Sequence, residues 1–256
     1  MKPKLIILGN NSSFPRKKYH PTSQILYISN IYFLIDCGEY TQIQIIKSKI
    51  KLLKINNILI SHLHGDHYYG LISILSTFQL LNRKKTINIY CNKYLKKIIN
   101  IQCKYSKIKF NYKINYIFLK KKYKKIFSNN KINIYNIPLK HNINNNGFLF
   151  KGKNEYKYSY AFCSDTIFYK KIIKYIKNVN LLYYDSTYIN KYKILAKKNG
   201  HSTAKQAAKI ALLANVKKLL LGHFSNIIKN LNLFKIEAKK IFFNTNISKI
   251  LKTYYL

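Results

Sequence analysis

Acid is what this sequence has least of. Seven Asp and Glu stand against 47 Lys and Arg, a formal net charge of +40 over 256 residues. Glycine is scarce at 8, proline at 4 and cysteine at 4, and arginine occurs only at Arg16 and Arg83. No apolar run approaches the roughly 18 residues that cross a bilayer, so no membrane span is expected. The apolar run at 5–8 is too short for the core of a secretory signal and stops at Gly9-Asn10-Asn11, so it reads as a first strand. Cys37, Cys91, Cys103 and Cys163 have no paired metal-binding spacing, and reduced thiols in a cytoplasmic protein are the expectation. Hydrophobic residues make up 48%, which excludes a disordered tail. The length allows a full core, and one domain, 1–256, is expected.

So basic a chain ordinarily points to nucleic acid. Here, however, Lys is accompanied by abundant Ile, Asn and Tyr, which share A/T-rich codons, so the charge permits an RNA partner without demonstrating one. The densest positive stretch, Lys120-Lys121-Lys122-Tyr123-Lys124-Lys125, reads on the same grounds as a solvated loop enriched by composition. Residues that resisted such drift (Gly, Asp, His, Pro) become the informative ones.

They concentrate in one place. Ser61-His62-Leu63-His64-Gly65-Asp66-His67 holds three of the seven histidines and one of the seven acids, directly after the apolar Ile58-Leu59-Ile60. In extended chain, residues i and i+2 project to the same side, so His62 and His64 can grip one cation together. Gly65 is expected to allow a sharp bend that lets Asp66 and His67 open the next helix and face a neighbouring position. Imidazole with carboxylate suits a borderline cation such as Zn²⁺.

Strand-like runs fall at 5–8, 24–28, 32–35, 58–60, 87–90, 116–119 and 132–137, then at 158–162, 181–184 and 218–221. Helical spacing marks 68–81, 203–214 (capped by Ser202 or Thr203) and 233–242. Strands grouped with later interleaved helices fit an α/β architecture of two stacked sheets with helices outside, an αββα sandwich. No internal repeat is visible. His141, Asp165 and His223 each follow one of these strands, where distant polar groups can converge. Together they supply what a second metal position needs, with Asp165 able to bridge two cations that share a hydroxide and clamp an in-line phosphate displacement.

Several stretches together resemble the metallo-β-lactamase-fold hydrolases and, within them, the ribonuclease Z family. Leu8-Gly9 with Ser12-Ser13, Pro15 and His20-Pro21-Thr22-Ser23-Gln24 is similar to the family's opening strand and loop. Phe33-Leu34-Ile35-Asp36-Cys37-Gly38-Glu39 with Thr41-Gln42 resembles its second signature, and the histidine loop follows. Then come Pro138-Leu139-Lys140-His141 with Gly147-Phe148, and Phe162-Cys163-Ser164-Asp165-Thr166. The most discriminating block is Gly200-His201-Ser202-Thr203-Ala204, Gln206-Ala207-Ala208 and Leu221-Gly222-His223-Phe224-Ser225.

The resemblance implies a zinc-dependent endoribonuclease that removes the 3′ trailer from tRNA precursors and leaves a 3′-hydroxyl, with a metal-bound hydroxide as nucleophile. It implies two zinc ions per chain, one on His62, His64 and His141, the other on Asp66, His67 and His223, with Asp165 shared. Asp66 would also take a proton from the attacking water. His201, oriented by Asp185, would protonate the leaving ribose oxygen. Asp36 would either fix the turn at Gly38 or support a metal ligand from behind. A homodimer is the expected assembly. Two other readings stay open: a metallo-β-lactamase-fold hydrolase of another phosphodiester or a thioester, and a nucleic-acid-binding remnant without catalysis. The complete metal set speaks against the remnant, and the His201 block against another hydrolase.

Three departures from the family pattern stand out. Asp185 replaces the usual Glu, with Tyr184 before it instead of His, and a shorter carboxylate is expected to hold His201 less firmly. Ile227-Ile228 stands where an Arg-Tyr pair is common. Only 23 residues separate His141 from Asp165, so the long arm that grips the tRNA elbow in bacterial members is expected to be largely missing.

Overall fold

The computed structural model describes residues 2–14 and 18–256. Pro15 of the opening motif lies outside the described residues. In chain order the first elements are β1 (Lys4–Gly9), β2 (Ser23–Ile28), β3 (Ile31–Cys37), α1 (Thr41–Lys47), β4 (Ile55–Leu59), α2 (Tyr69–Leu80), β5 (Ile87–Cys91), α3 (Lys93–Ser106) and β6 (Ile114–Phe118). There follow β7 (Lys124–Ser128), β8 (Ile132–Leu139), β9 (Asn145–Gly152), β10 (Ser159–Cys163), α4 (Ile173–Ile176), β11 (Leu181–Asp185), α5 (Lys193–Lys198) and α6 (Ala204–Leu213). The chain closes with β12 (Leu219–Gly222), α7 (Asn232–Lys239), β13 (Thr245–Ile247) and β14 (Thr253–Tyr255).

These elements divide into two compact units. Of the described residues, the first comprises 2–9, 18–120 and 250–255, the second 10–14, 121–249 and 256. The first unit's sheet runs β14-β1-β2-β3-β4-β5-β6. Its pairs from β14 to β3 are antiparallel, and those from β3 to β6 are parallel. Parallel neighbours need a crossover, and α1, α2 and α3 supply the three. The second unit's sheet runs β13-β12-β11-β10-β9-β8-β7. Its pairs from β7 to β10 are antiparallel and those from β10 to β13 parallel, with α4, then α5 and α6, then α7 in the crossovers.

Local chemistry explains the well-marked elements. α2 buries Gly70, Leu71, Ile74, Leu75 and Phe78, an apolar stripe at helical spacing that packs on Ile58, Ile60 and Ile89 in the first unit's core. α6 begins in a reciprocal capping box: the Thr203 side chain accepts from Gln206 N, and Gln206 reaches back to Thr203 N. The cap is therefore Thr203, and Ser202 instead donates to the Thr166 carbonyl at 2.6 Å. Its alanines pack among Leu182, Leu219 and Leu221 in the second unit's core.

Other elements are not evident in the sequence. α3 is Lys-rich and reads as biased composition, yet it buries Leu95 and Ile99 and is capped by Asn92. Helices thus interleave with strands already in the first half, not only later. β9 opens with Asn145-Asn146-Gly147, a turn signal by composition. Both asparagines are buried, and Asn145 donates from Nδ2 to the carbonyls of Ser164 and Asp165. All four cysteines are free thiols, and burial pushes the Cys91 thiol up to about 12. Among the described residues no helix is long and apolar enough to cross a membrane.

Candidate metal centre

In the first unit the histidine loop leaves the end of β4 and makes one 3-10 turn at Gly65–His67 before α2. Gly65 does not have a positive φ, so the bend expected of it is not the reason for glycine here. A Cβ at this position would stand 2.1 Å from the ring of the exposed Tyr69, which would have to turn aside.

Asp36, at the end of β3, organises the loop from beneath. It is fully buried, and its oxygens accept from Ser61 N (2.7 Å), Ser61 Oγ (2.9 Å) and His67 Nδ1 (2.7 Å). Of the two roles the sequence leaves open for Asp36, the contacts match support of a ligand from behind. Ser61 Oγ spends its single proton on Asp36, so at its 3.0 Å contact with His62 Nδ1 the imidazole must donate. His62 Nε2 then carries the lone pair, 3.0 Å from His64 Nδ1. His67 likewise gives its Nδ1 proton to Asp36 and turns Nε2 toward Asp66 Oδ2, 3.3 Å away. Burial raises the Asp36 carboxyl, opposed by its contacts with His67 and Ser61.

The second unit repeats the device with other residues. Asp185, buried at the end of β11, accepts from Thr187 N (2.9 Å) and Thr187 Oγ1 (2.7 Å) on Oδ1, and from Thr166 N (2.9 Å) and His201 Nδ1 (2.9 Å) on Oδ2. Because the Thr187 hydroxyl donates to Asp185, it accepts from His223 Nδ1 at 2.9 Å. The lone pair of His223 is thereby placed on Nε2, 3.2 Å from Asp165 Oδ1. His141 Nδ1 donates to the Gly200 carbonyl at 2.8 Å, and its Nε2 lies 3.8 Å from Asp165 Oδ2. Gly200 has φ +80°, and a Cβ there would stand 2.6 Å from His141 Nδ1. Burial pushes the His141 imidazole below its usual value and so favours its neutral, ligating form.

Three of these residues also adopt the left-handed backbone region, which ten other described non-glycine residues share. Asp36, Asp165 and His223 have φ of 55°, 57° and 62°. A non-glycine residue there costs on the order of 1–3 kcal/mol and persists where its surroundings hold it. Asn145 does so for Asp165 by binding its carbonyl.

Within the first unit the structure brings together His62, His64, Asp66 and His67, and within the second His141, Asp165, Asp185, His201 and His223. His20 stands apart, stacked on Tyr40 at 4.2 Å. Ser61, Thr166, Thr187 and the Gly200 carbonyl are functional groups that the sequence reading misses. Ser61 and Thr187 carry one faint signal, a hydroxyl one or two residues from a His or Asp of the set. Asp185, the short replacement for the usual Glu, still reaches His201 at 2.9 Å, because the Tyr188–Thr203 bridge and the Ser202–Thr166 hydrogen bond hold the His201 segment beside the end of β11.

The donor set fits metal. Each of His62, His67, His141 and His223 has Nδ1 anchored by the protein and Nε2 left to coordinate, the arrangement that orients metal-ligating imidazoles. The ligand atoms of Asp185, His201 and His223 also lie within 4.8 Å of one another.

The chain is similar over its length to known proteins. A ribonuclease Z of Phocaeicola vulgatus is 34% identical across 95% of this chain and 94% of its own. One of Azobacteroides pseudotrichonymphae is 36% identical across 93% of each. The first alignment runs over 290 residues although this chain has 256, so that relative carries residues without a counterpart here. The human short-form tRNase Z superposes with a TM-score of 0.84 at 24% identity, covering 98% of both chains. A metallo-β-lactamase-fold protein of Bacillus subtilis superposes with a TM-score of 0.82 at 18% identity, covering 99% of both. Residues 3–242 match a family model described as anti-Pycsar protein Apyc1. With relatives above 30% identity over nearly the full length of both partners, and with the αββα metallo-β-lactamase fold, the chain belongs to the ribonuclease Z family of endoribonuclease hydrolases.

Proposed function

We propose that this protein is a zinc-dependent endoribonuclease that removes the 3′ trailer from tRNA precursors. The observation that carries the reading is the repeated anchoring of imidazole Nδ1 atoms, which prepares an array of Nε2 donors beside Asp66 and Asp165. In this reading residues 1–256 make up one domain. His62, His64 and His141 hold one zinc, and Asp66, His67 and His223 the other, with Asp165 shared. The bound metals supply charge neutralisation at the phosphate and acidify water. Asp66 accepts the proton of the attacking water. His201, with Nδ1 committed to Asp185, presents Nε2–H to the departing ribose oxygen. The P–O3′ bond breaks, that oxygen takes the His201 proton, and the new phosphate oxygen comes from water. The products are a tRNA 3′-hydroxyl and a trailer 5′-phosphate. The protein acts in the cytoplasm as a homodimer.

A second reading is hydrolysis of another phosphodiester, since an array of imidazoles and carboxylates with bound metal addresses a phosphate and not a nucleoside. Incubation of the purified protein with a tRNA precursor beside a small phosphodiester separates the two, with product ends mapped and metal measured. Cleavage leaving a 3′-hydroxyl, with about two zinc per chain, is expected. Turnover of the small ester with the precursor left intact favours the second reading.

A further inference from the structure

The lysine run at 120–125 does not form one loop surface. Lys124 and Lys125 enter β7, whereas Lys121 and Tyr123 turn toward α4. Tyr123 is sandwiched between two other tyrosines. Its ring centroid lies 5.3 Å from that of Tyr135 on β8, with the planes 3° apart, and 4.7 Å from that of Tyr175 on α4, with the planes 16° apart. The stack ties the segment before β7, the middle of β8 and α4 into one rigid rack.

Around that rack lysines from three separated segments face one cleft: Lys121, Lys140, and Lys170, Lys171 and Lys174. A second cleft shares Lys174 and Tyr175 with the first and adds Lys151 and Lys177. All seven lysines are exposed, and no acidic side chain lines either cleft. The Lys174 ammonium stands 4.9 Å over the Tyr175 ring. Composition accounts for many lysines, but not for a stacked scaffold that gathers them from distant segments. Lys140 also fixes the cleft's place. It directly precedes His141, its carbonyl accepts from Ile167 N at 2.9 Å, and its N–H donates to Thr166 Oγ1 at 3.2 Å, beside Asp165.

We propose that this lysine-lined cleft grips the phosphate backbone of the RNA substrate. The proposal rests on the reading of the protein as an RNA-cleaving enzyme. The chemistry selects backbone over bases. Tyr123 already stacks on Tyr135 and Tyr175, and Lys is a point charge without the fork that reads base edges. Lysines that neutralise phosphates give a sequence-independent, salt-sensitive grip.

The test compares two fourfold variants of equal charge change. Lys121, Lys170, Lys171 and Lys174 are replaced by Gln in one. In the other, Lys93, Lys96, Lys97 and Lys104 of α3 are replaced by Gln. Binding of a trailer-bearing tRNA precursor is measured against salt concentration by fluorescence anisotropy. The cleft variant should bind at least about tenfold more weakly at low salt, with the log–log salt slope reduced by about three to four units. The α3 variant should stay close to the unmodified protein. Tyr123→Ala should lose part of the affinity, and Tyr123→Phe should retain it. Equal losses in the two lysine variants, or an unchanged slope in the cleft variant, would overturn the proposal. So would lost binding to anionic phospholipid vesicles with RNA binding intact. Failure of the unmodified protein to cut the precursor would count against the proposed reaction, and the binding comparison would still decide the cleft.

Discussion

Each unit places one buried carboxylate beneath its histidines, and each carboxylate works in the same two ways. Asp36 holds His67 directly and reaches His62 through the Ser61 hydroxyl; Asp185 holds His201 directly and reaches His223 through the Thr187 hydroxyl. The directly held histidines differ in surroundings. His67 is fully buried, with Nε2 against Asp66, whereas the His201 side chain keeps 13% exposure and lies on the rim. The same second-layer device therefore serves two ends: a sealed imidazole suited to hold a cation, and an accessible one suited to hand a proton to a substrate.

The sharpest way to break this comparison is to remove the two directly held histidines. His201→Ala should lower turnover by about 10²–10⁴-fold and leave metal content unchanged, as loss of a general acid does. His67→Ala should lose metal. If His201→Ala also sheds metal, then the Asp185–His201–His223 cluster is itself a ligand set and the two histidines have one role. Asp185→Asn should follow His201→Ala in direction with a smaller loss.

The hydroxyl links come next. Asp36→Asn disturbs Ser61 and His67 together and should weaken metal binding by about 10–100-fold. Thr187→Val takes the acceptor from His223 and one hydroxyl donor from Asp185, and leaves Asp185 its contacts with Thr187 N, Thr166 and His201, so its cost should fall near or below the tenfold end of that range. Competition titration with a zinc chelator measures both. A Thr187→Val loss equal to that of Asp36→Asn would mean that the carboxylates do not share one design.

The smallest effect is on pH dependence. Burial depresses His141, so this imidazole stays neutral at pH values where a free one is already protonated. The sign is that of a group with a lowered folded value: below its ordinary value of about 6.5 the unfolded chain binds the proton more readily, so stability supplied by neutral His141 is lost as the pH falls. Metal content against pH should accordingly hold through 6.5 and collapse below it. A midpoint at or above 6.5 would contradict the burial argument.

The two half-sites also differ in how far they can be read without a structure. His62, His64, Asp66 and His67 lie within six residues, and the i, i+2 alternation of extended chain already points two of them one way. His141, Asp165 and His223 are single polar residues after apolar runs, and only their joint resemblance to a family pattern marks them. Ser61 and Thr187 stay hidden because a hydroxyl beside a His or Asp is commonplace. α3 stays hidden for another reason: its lysines blur the apolar period that the helix nonetheless buries at Leu95 and Ile99, and α1 stays hidden because two of its buried residues, Thr41 and Gln44, are polar. β9 is masked by two asparagines whose turn-forming habit is overridden by burial and hydrogen bonds to the Asp165 segment.

The lysines show the same limit from the opposite side. Lys120–125 is conspicuous as a run, yet the structure splits it and joins Lys121 to Lys140, Lys170, Lys171 and Lys174 through the tyrosine stack. By itself the sequence determined the strand and helix character of its periodic segments, the local histidine cluster and the family, because these depend on spacing between near neighbours. Tertiary structure alone decided which nitrogen of each imidazole is anchored, which carboxylate stands behind it and which lysines share a cleft. Those outcomes depend on strand register and crossover paths, which bring together residues as far apart in the chain as Asp185 and His223, or Lys121 and Lys174.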